Sequence, residues 1–581
     1  MLHGRRRISA ERRLRARAGG AGGDARGAGG ACAEAAVKAG RNQAALLAAA
    51  LWLAACTTPP AAPPVPPAAP VVAAPPLPYS EAVAARFPDP AVSYDTPGLQ
   101  PMHDAFTSNA ELSQALHRLA ATSSPRMTIA LLPLGASQRG VPLEALVFTR
   151  EADGSPAALA RSGKPTVLLV GQQHGDEPAG SEALLVIAQH IGDGPLASLL
   201  DRINVIVLPR ANPDGADAKT RVSANGIDIN RDHLLLRTPE AQAQAKLVRE
   251  YRPQVVVDAH EYTVVGRFLQ KFNAVQRFDA MLQYATTANL PPDLARVSDE
   301  GFRVGMLKSL ADEGLTAEWY YTTSTDLADR KVSMGGVQPD TARNVQGMKN
   351  AVSFLIETRG VGIGRLHLKR RVHTHVVAIS SVLRSAARQG DALLALRRAA
   401  DADVSAQACR GEAVIEAAAT STQRELLMLD PHDGHDVAVP LVWDSALTLR
   451  VVKSRPRPCG YWLAADAEDA VRTLRELGVN VQRLSAGANL TAERWRETAR
   501  SEGARQDVRG TIADAGSAVI RVQVALAPQP LAAPAGSYYV SLEQPLANLA
   551  VAALEPDTQN SFFANRLLRS LDDAARVMSK P

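Results

Sequence analysis

Val167-Leu168-Leu169-Val170-Gly171-Gln172-Gln173-His174-Gly175-Asp176-Glu177 is an apolar run that stops at a glycine and then delivers an imidazole and two carboxylates. A short apolar run closed by a breaker reads as a buried strand. Three more runs behave alike. Asn204 to Leu208 stops at Pro209 and leads to Asn212-Pro213-Asp214-Gly215. Val255-Val256-Val257 leads to Asp258, His260 and Glu261, and Phe354-Leu355-Ile356 ends on Glu357 and Arg359. Helical patterns such as Gly180 to Ile191 and Pro239 to Tyr251 lie between them. Strands alternating with helices from about Met127 to Arg359 predict an α/β fold, a mixed and mostly parallel sheet flanked by helices. Ligands of open α/β sheets bind beyond the carboxyl ends of the strands, so four polar strand ends predict one site.

His174 and Glu177 form an H-x-x-E, a weak signal alone. His260 completes a set of two imidazoles and a carboxylate. Three protein ligands with one open position is the catalytic zinc arrangement, whereas structural zinc is closed by four. One Zn2+ ion is expected. Zinc acidifies water, but a base must still take the proton. Glu357 fits that role, because partial burial at the end of an apolar strand raises a carboxyl toward the useful range. A developing oxyanion needs a fixed cation. Arg221 and Arg231 flank the turn Asn225-Gly226, and either serves.

These motifs resemble the zinc carboxypeptidase family, the carboxypeptidase A-like metallopeptidases, over about residues 120–400. The family's H-x-x-E stands here as His174 and Glu177, and its N-P-D-G turn as Asn212 to Gly215. Its arginine followed by N-G-x-D-x-N-R is Arg221, then Asn225-Gly226-Ile227-Asp228-Ile229-Asn230-Arg231. Its third ligand is His260 and its terminal-strand glutamate is Glu357. The resemblance implies that His174, Glu177 and His260 hold zinc and that Glu357 is general base, then general acid. It implies that Arg221 polarises the scissile carbonyl. Asn230 and Arg231 would clamp a terminal carboxylate with the fork that suits arginine. Asp228 would orient a zinc-bound imidazole. The implied reaction is hydrolysis of a C-terminal peptide (amide) bond by zinc-activated water, on a peptide with a free C-terminal carboxylate. An N-acyl amino acid deacylase of the aspartoacylase and desuccinylase branch shares this zinc site. A non-catalytic binding lipoprotein is a third reading, opposed by the intact set of ligands, base and arginine.

One stretch departs from the family. Its mobile tyrosine, roughly twenty residues before the base, is missing from Ser333 to Asp340, and Tyr320 and Tyr321 lie further upstream. Arg343 and Asn344 read as helix-cap or surface residues, with contact to a carboxylate as the alternative. His373 and His375 read as surface residues in a basic stretch, and His432 and His435 as part of a solvated turn.

The 581 residues are 46% hydrophobic and 21% charged, an ordinary globular composition. The net charge of +5 comes from an N-terminal arm with Arg5, Arg6, Arg7, Arg12, Arg13, Arg15 and Arg17, so nucleic-acid binding gains no support. Lys38 and Arg41 precede the apolar run Ala44 to Leu53, the layout of a secretory signal. Leu53-Ala54-Ala55-Cys56 resembles a bacterial lipobox, which implies lipidation of Cys56. With Thr57 next, it implies the periplasmic face of a Gram-negative outer membrane, reached through a lipid anchor. The expected organisation is a signal over 1–55, a lipidated Cys56 with a Pro/Ala tether over 56–78, an N-terminal extension over 79–120, a catalytic domain over 121–405 and a β-rich accessory domain over 406–581. Cys409 and Cys459 remain as a disulfide or as two buried thiols. A long helical stretch is expected over Ala378 to Ala400, closing the catalytic domain. The C-terminal third shows no chemistry of its own and reads as a region that restricts access to the cleft or binds a polymer.

Overall fold

The computed structural model describes residues 77–580. The expected signal and Cys56 lie outside the described residues, with most of the tether. The described chain belongs to one compact unit.

Ten strands precede residue 362: β1 (Thr128–Ala136), β2 (Pro142–Thr149), β3 (Thr166–Gly171), β4 (Asn204–Leu208), β5 (Val255–Thr263), β6 (Ala280–Tyr284), β7 (Ala317–Trp319), β8 (Tyr321–Thr322), β9 (Lys331–Met334) and β10 (Val352–Val361). Eight of them form the central sheet in the order β1-β2-β4-β3-β5-β10-β6-β7. The centre, β4-β3-β5-β10, is parallel, as is β6-β7. The remaining pairs, β1-β2, β2-β4 and β10-β6, are antiparallel. The sheet is therefore mixed, with the parallel strands where the sequence carries its most apolar runs.

Those runs are apolar throughout because both faces are covered. Val167 and Leu169 of β3, Val255 and Val257 of β5, and Phe354 and Ile356 of β10 pack under the helices Ala179–Asp193 and Leu368–Arg388. Leu168, Val170 and Val256 point the other way, onto Leu247, Val248 and Tyr251 of the helix Pro239–Tyr251. Side chains alternate faces along a strand. The parity puts Asp258, His260, Leu355 and Glu357 on the second face, at its carboxyl end. Residues 79–120 pad this body. Leu112 and Leu116 of the helix Asn109–Ala120 join the first core, and Val83 and Phe87 join a separate aromatic cluster.

Two expectations are corrected here. The long helix is two, Leu368–Arg388 and Gly390–Ala406, parted at Gln389-Gly390. His373 and His375 are not surface residues but are buried in the first of them. His375 Nε2 lies 3.1 Å from the His260 carbonyl oxygen. The basic text misleads because Arg371 also turns inward, onto Glu261 at 2.7 Å.

Beyond residue 411, β11 (Glu412–Leu429) and β12 (Asp436–Pro456) form a long hairpin that pairs through β12 with β9, so the C-terminal region grows out of a strand of the catalytic region. A six-stranded sheet and the helices Glu468–Leu477 and Ala547–Leu554 follow. A disulfide joins Cys409 to Cys459 across 50 residues. Closing a loop of that length restricts the unfolded chain, so the double Cys→Ala variant should lose about 4 kcal/mol of unfolding free energy. Denaturant titration of both forms would measure it.

Candidate active site

The loop after β3 carries His174 and Glu177, and its shape depends on a glycine. A Cβ on Gly175 would meet the carbonyl carbon of Gly215 at 1.9 Å, so the two backbones touch only because Gly175 lacks a side chain. Asn212 ties the turn to the loop, donating from Nδ2 to the Gln173 carbonyl at 3.1 Å and accepting from Gly215 N at 2.9 Å. β5 brings His260 and β10 brings Glu357, in register on adjacent parallel strands.

His174 Nδ1, His260 Nδ1 and the Glu177 carboxylate converge. The two nitrogens are 3.0 Å apart, and Glu177 lies 2.8 Å from each ring through a different oxygen. All three residues are buried. The outer nitrogens face carboxylates: His174 Nε2 is 3.2 Å from Asp228 Oδ1, and His260 Nε2 is 2.8 Å from Asp258 Oδ2. Imidazoles aimed at one point and backed by carboxylates are what a zinc ion requires, so this donor set fits the metal. Among the described residues one other cluster, Asp430, Asp433 and His435, brings such donors together, in an exposed turn.

The electrostatics follow from burial and neighbours. Burial alone would raise the Glu177 carboxyl, but the two imidazoles hold it well below the usual range. Burial likewise opposes charge on Asp228, and Arg221 and His174 overcome it. Desolvation works against a charged His260, yet Asp258 and Glu177 lift its pKa well above the ordinary value. The carboxylates that hold a proton there make the ring a strong donor to a cation. Glu357 is different. Burial first, and then the Glu177 charge, push it up to about 8.

Arg221 is fixed by Asp228 Oδ2, which accepts from Nε at 3.0 Å and Nη2 at 2.9 Å. Its Nη1 reaches toward His174 Nδ1 at 3.2 Å and Glu177 Oε1 at 3.4 Å. Asn230 Nδ2 lies 3.3 Å from His260 Nε2. Arg231 lines the same cleft, but its donors are engaged, Nη1 on the Asn230 carbonyl and Nη2 on Asp507 Oδ2, both at 2.7 Å.

Asp507 is one of the residues that sequence reasoning missed. It sits in a hairpin of the C-terminal region, Gln506–Asp507 paired with Gly510–Thr511, whose Val508 and Arg509 line the cleft. The region read as free of chemistry therefore contributes a wall. Asp228 N donates to the Ala513 carbonyl at 3.0 Å, and Arg505 pairs with Asp340 at 2.9 Å, which fixes the hairpin against the site. Nothing local in the sequence signals this pairing. Tyr320 also lines the cleft, its hydroxyl pushed up to about 12 by burial and by Glu357. Tyr321 is buried against Phe268 and Trp443. Asp258, seen in the sequence only as a strand-end acid, orients His260. Asp258→Asn should weaken zinc binding by about 10- to 100-fold. Competition with a chromophoric chelator reads this, and an unchanged affinity would mean that Asn230 alone fixes the ring.

Converged nitrogen and carboxylate donors beside a buried carboxyl make this a metallohydrolase centre. Residues 112–372 match the family model described as zinc carboxypeptidase. The match covers a little under half of the chain and, with the relatives that follow, supports a metallocarboxypeptidase. Carboxypeptidase 2 of Trichophyton equinum is 28% identical over 409 residues, covering 69% of this chain and 73% of its own. Carboxypeptidase SOL1 of Arabidopsis thaliana is 29% identical over 247 residues, 39% of this chain and 47% of its own. A metallo-carboxypeptidase from Burkholderia cenocepacia overlaps loosely, at a TM-score of 0.35 and 16% identity over 48% of this chain and 68% of that one. The relatives correct the expected location. Trichophyton carboxypeptidases match over most of the chain, and fungi have no Gram-negative outer membrane, so the placement as a bacterial outer-membrane lipoprotein is withdrawn. Among the described residues no helix is long and apolar enough to cross a membrane.

Proposed function

We propose that this metallocarboxypeptidase removes single C-terminal residues from peptides, with Glu357 as the proton carrier and one zinc ion held by His174, Glu177 and His260. The observation that carries this reading is the register of Glu357 beside His260. It sets a buried carboxyl with a raised pKa on the same face as the donor set. Zinc, when bound there, supplies Lewis acidity that polarises a carbonyl and acidifies water. Glu357 accepts the proton of the attacking water and returns it to the departing amine nitrogen. The C–N bond breaks, leaving a shortened peptide and a free amino acid. Arg221, held by Asp228 and aimed at the donor set, stabilises charge that develops on the carbonyl oxygen. Asn230 and Arg231 receive the terminal carboxylate, which takes the place of Asp507 on the guanidinium. Tyr320 stays protonated near neutral pH and remains a hydrogen-bond donor beside Glu357.

The test is a mixed library of peptides and N-acyl amino acids incubated with the zinc-loaded protein and read by mass spectrometry. A chelated control runs alongside. Loss of single C-terminal residues, abolished by the chelator, is the expected result. Hydrolysis confined to the N-acyl amino acids would move the chain to the deacylase reading.

A further inference from the structure

Arg267, Arg343 and Arg509 line the cleft without a part in the proposed chemistry, and Arg343 is the buried one among them. Arg343, in the first turn of the helix Ala342–Met348, is only 4% exposed and lines the same cavity as Glu357. Its Nη2 donates to the Gly336 carbonyl at 2.7 Å, and its Nε has no partner. Nearby groups are already committed. Asp340 is held by Arg505. Gln283 gives Nε2 to Thr286 Oγ1 and the Gly335 carbonyl, and its Oε1 accepts from Gly335 N. Asn344, beside it in sequence, is fully satisfied by Gly336, Gln338 and Thr286. The expectation of a cap or surface role therefore fails for both residues. Burial without a carboxylate partner pushes Arg343 down to about 10. A buried, unpaired guanidinium is costly to keep, and a bound anion would relieve that cost.

Its position says which anion. A Cβ on Gly335 would lie 2.8 Å from both Arg343 Nη2 and Gln283 Oε1, so the guanidinium sits close to Gln283. Gln283 is opposite Leu355 in the β10-β6 ladder, and Leu355 lines the cleft one same-face step before Glu357. That step is about 7 Å. Arg343 thus lies deeper than the base, whereas Asn230 sits beside His260, its Nδ2 3.3 Å from Nε2. A residue whose scissile carbonyl is at Glu357 would present its side chain to Arg343. Gly335 and Gly336 leave room beside it, since a Cβ on Gly336 would touch nothing within 4 Å.

We infer that Arg343 is the specificity-determining residue of the pocket for the released amino acid, and that it selects peptides whose C-terminal residue has a carboxylate side chain, glutamate or aspartate. The inference rests on the carboxypeptidase reading for its substrate. A hydrogen-bonded ion pair of this kind changes binding by about 10- to 100-fold.

The experiment has two arms on the full chain. In the first, kcat/KM is measured for peptides differing only in a C-terminal Glu, Gln, Leu or Lys. Glu should lead Gln and Leu by about 10- to 100-fold. Arg343→Met should erase that lead, its loss falling mainly on the Glu peptide, and Arg343→Lys should restore part of it. In the second, calorimetry compares free L-glutamate, L-glutamine and L-leucine, and glutamate should bind more tightly by a similar factor. This arm needs no turnover. Selective glutamate binding without hydrolysis would sink the carboxypeptidase reading and leave the pocket assignment standing. Equal handling of Glu, Gln and Leu by the native chain would overturn it, even if no variant folds. So would an equal loss on every peptide in Arg343→Met, which would make Arg343 a reader of the main-chain carboxylate.

Discussion

Glu357→Gln should lower kcat by at least about 100-fold while zinc content and fold are retained. The amide fills the same space on β10, but it cannot accept a proton from water or return one to the amine. The pH profile provides a second readout. The base works deprotonated, so kcat/KM rises with pH through its pKa. Burial and Glu177 push that pKa up from 4.5 to about 8, and a dication bound beside it acts in the opposite direction. The acidic limb should therefore lie between those values in the native enzyme and be absent from Glu357→Gln. A limb that survives the substitution would assign the proton transfer to another group.

The second large effect concerns the metal. A strong chelator should abolish turnover in the native protein, and added Zn2+ should restore it. His260→Ala should be inactive and should not be rescued at the same zinc concentration. His260 is fully buried and makes contact with Glu177, Asp258 and Asn230, so its loss leaves two carboxylates facing a void without a ligand. Zinc bound only by the folded state stabilises it by mass action, about 2.7 kcal/mol at 100 times Kd. Scanning calorimetry should show zinc raising the melting temperature of the native chain and not of His260→Ala. Full activity after exhaustive chelation would contradict the assignment of His174, Glu177 and His260 as ligands.

The parts of this site visible in the sequence are those made by local rules. A buried parallel strand is apolar along its whole length, and its first polar residues fall at the carboxyl end, where α/β sheets bind ligands. His174, Glu177, His260 and Glu357 all stand at such ends, so reading the strands was enough to gather them. Asp228 came from the family resemblance, and Arg221 from that resemblance and its place beside the turn Asn225-Gly226. The parts that stayed hidden depend on long-range packing. Asp507 is brought to Arg231 by a pairing that spans more than 270 residues. Arg343 looks like any polar residue in a first helical turn, and only the surrounding fold shows that it is enclosed. His373 and His375 were misread for the reverse reason, because a basic stretch suggests solvent whereas Arg371 within it has a buried partner in Glu261. The tyrosine question was half legible. Tyr320 and Tyr321 were the nearest candidates by count, and the place of Tyr320 in the cleft depends on the short strands that follow β6.

The Asp507–Arg509 hairpin also sets an order of events during synthesis. The proposed ligands and base are complete by Glu357, while the hairpin is encoded about 150 residues later. At roughly 5–20 residues per second, the ribosome needs roughly 8–30 s to deliver it. Throughout that interval the chain lacks the carboxylate of Asp507 that engages Arg231. The proposed base is therefore encoded first, and the carboxylate that engages Arg231 arrives last.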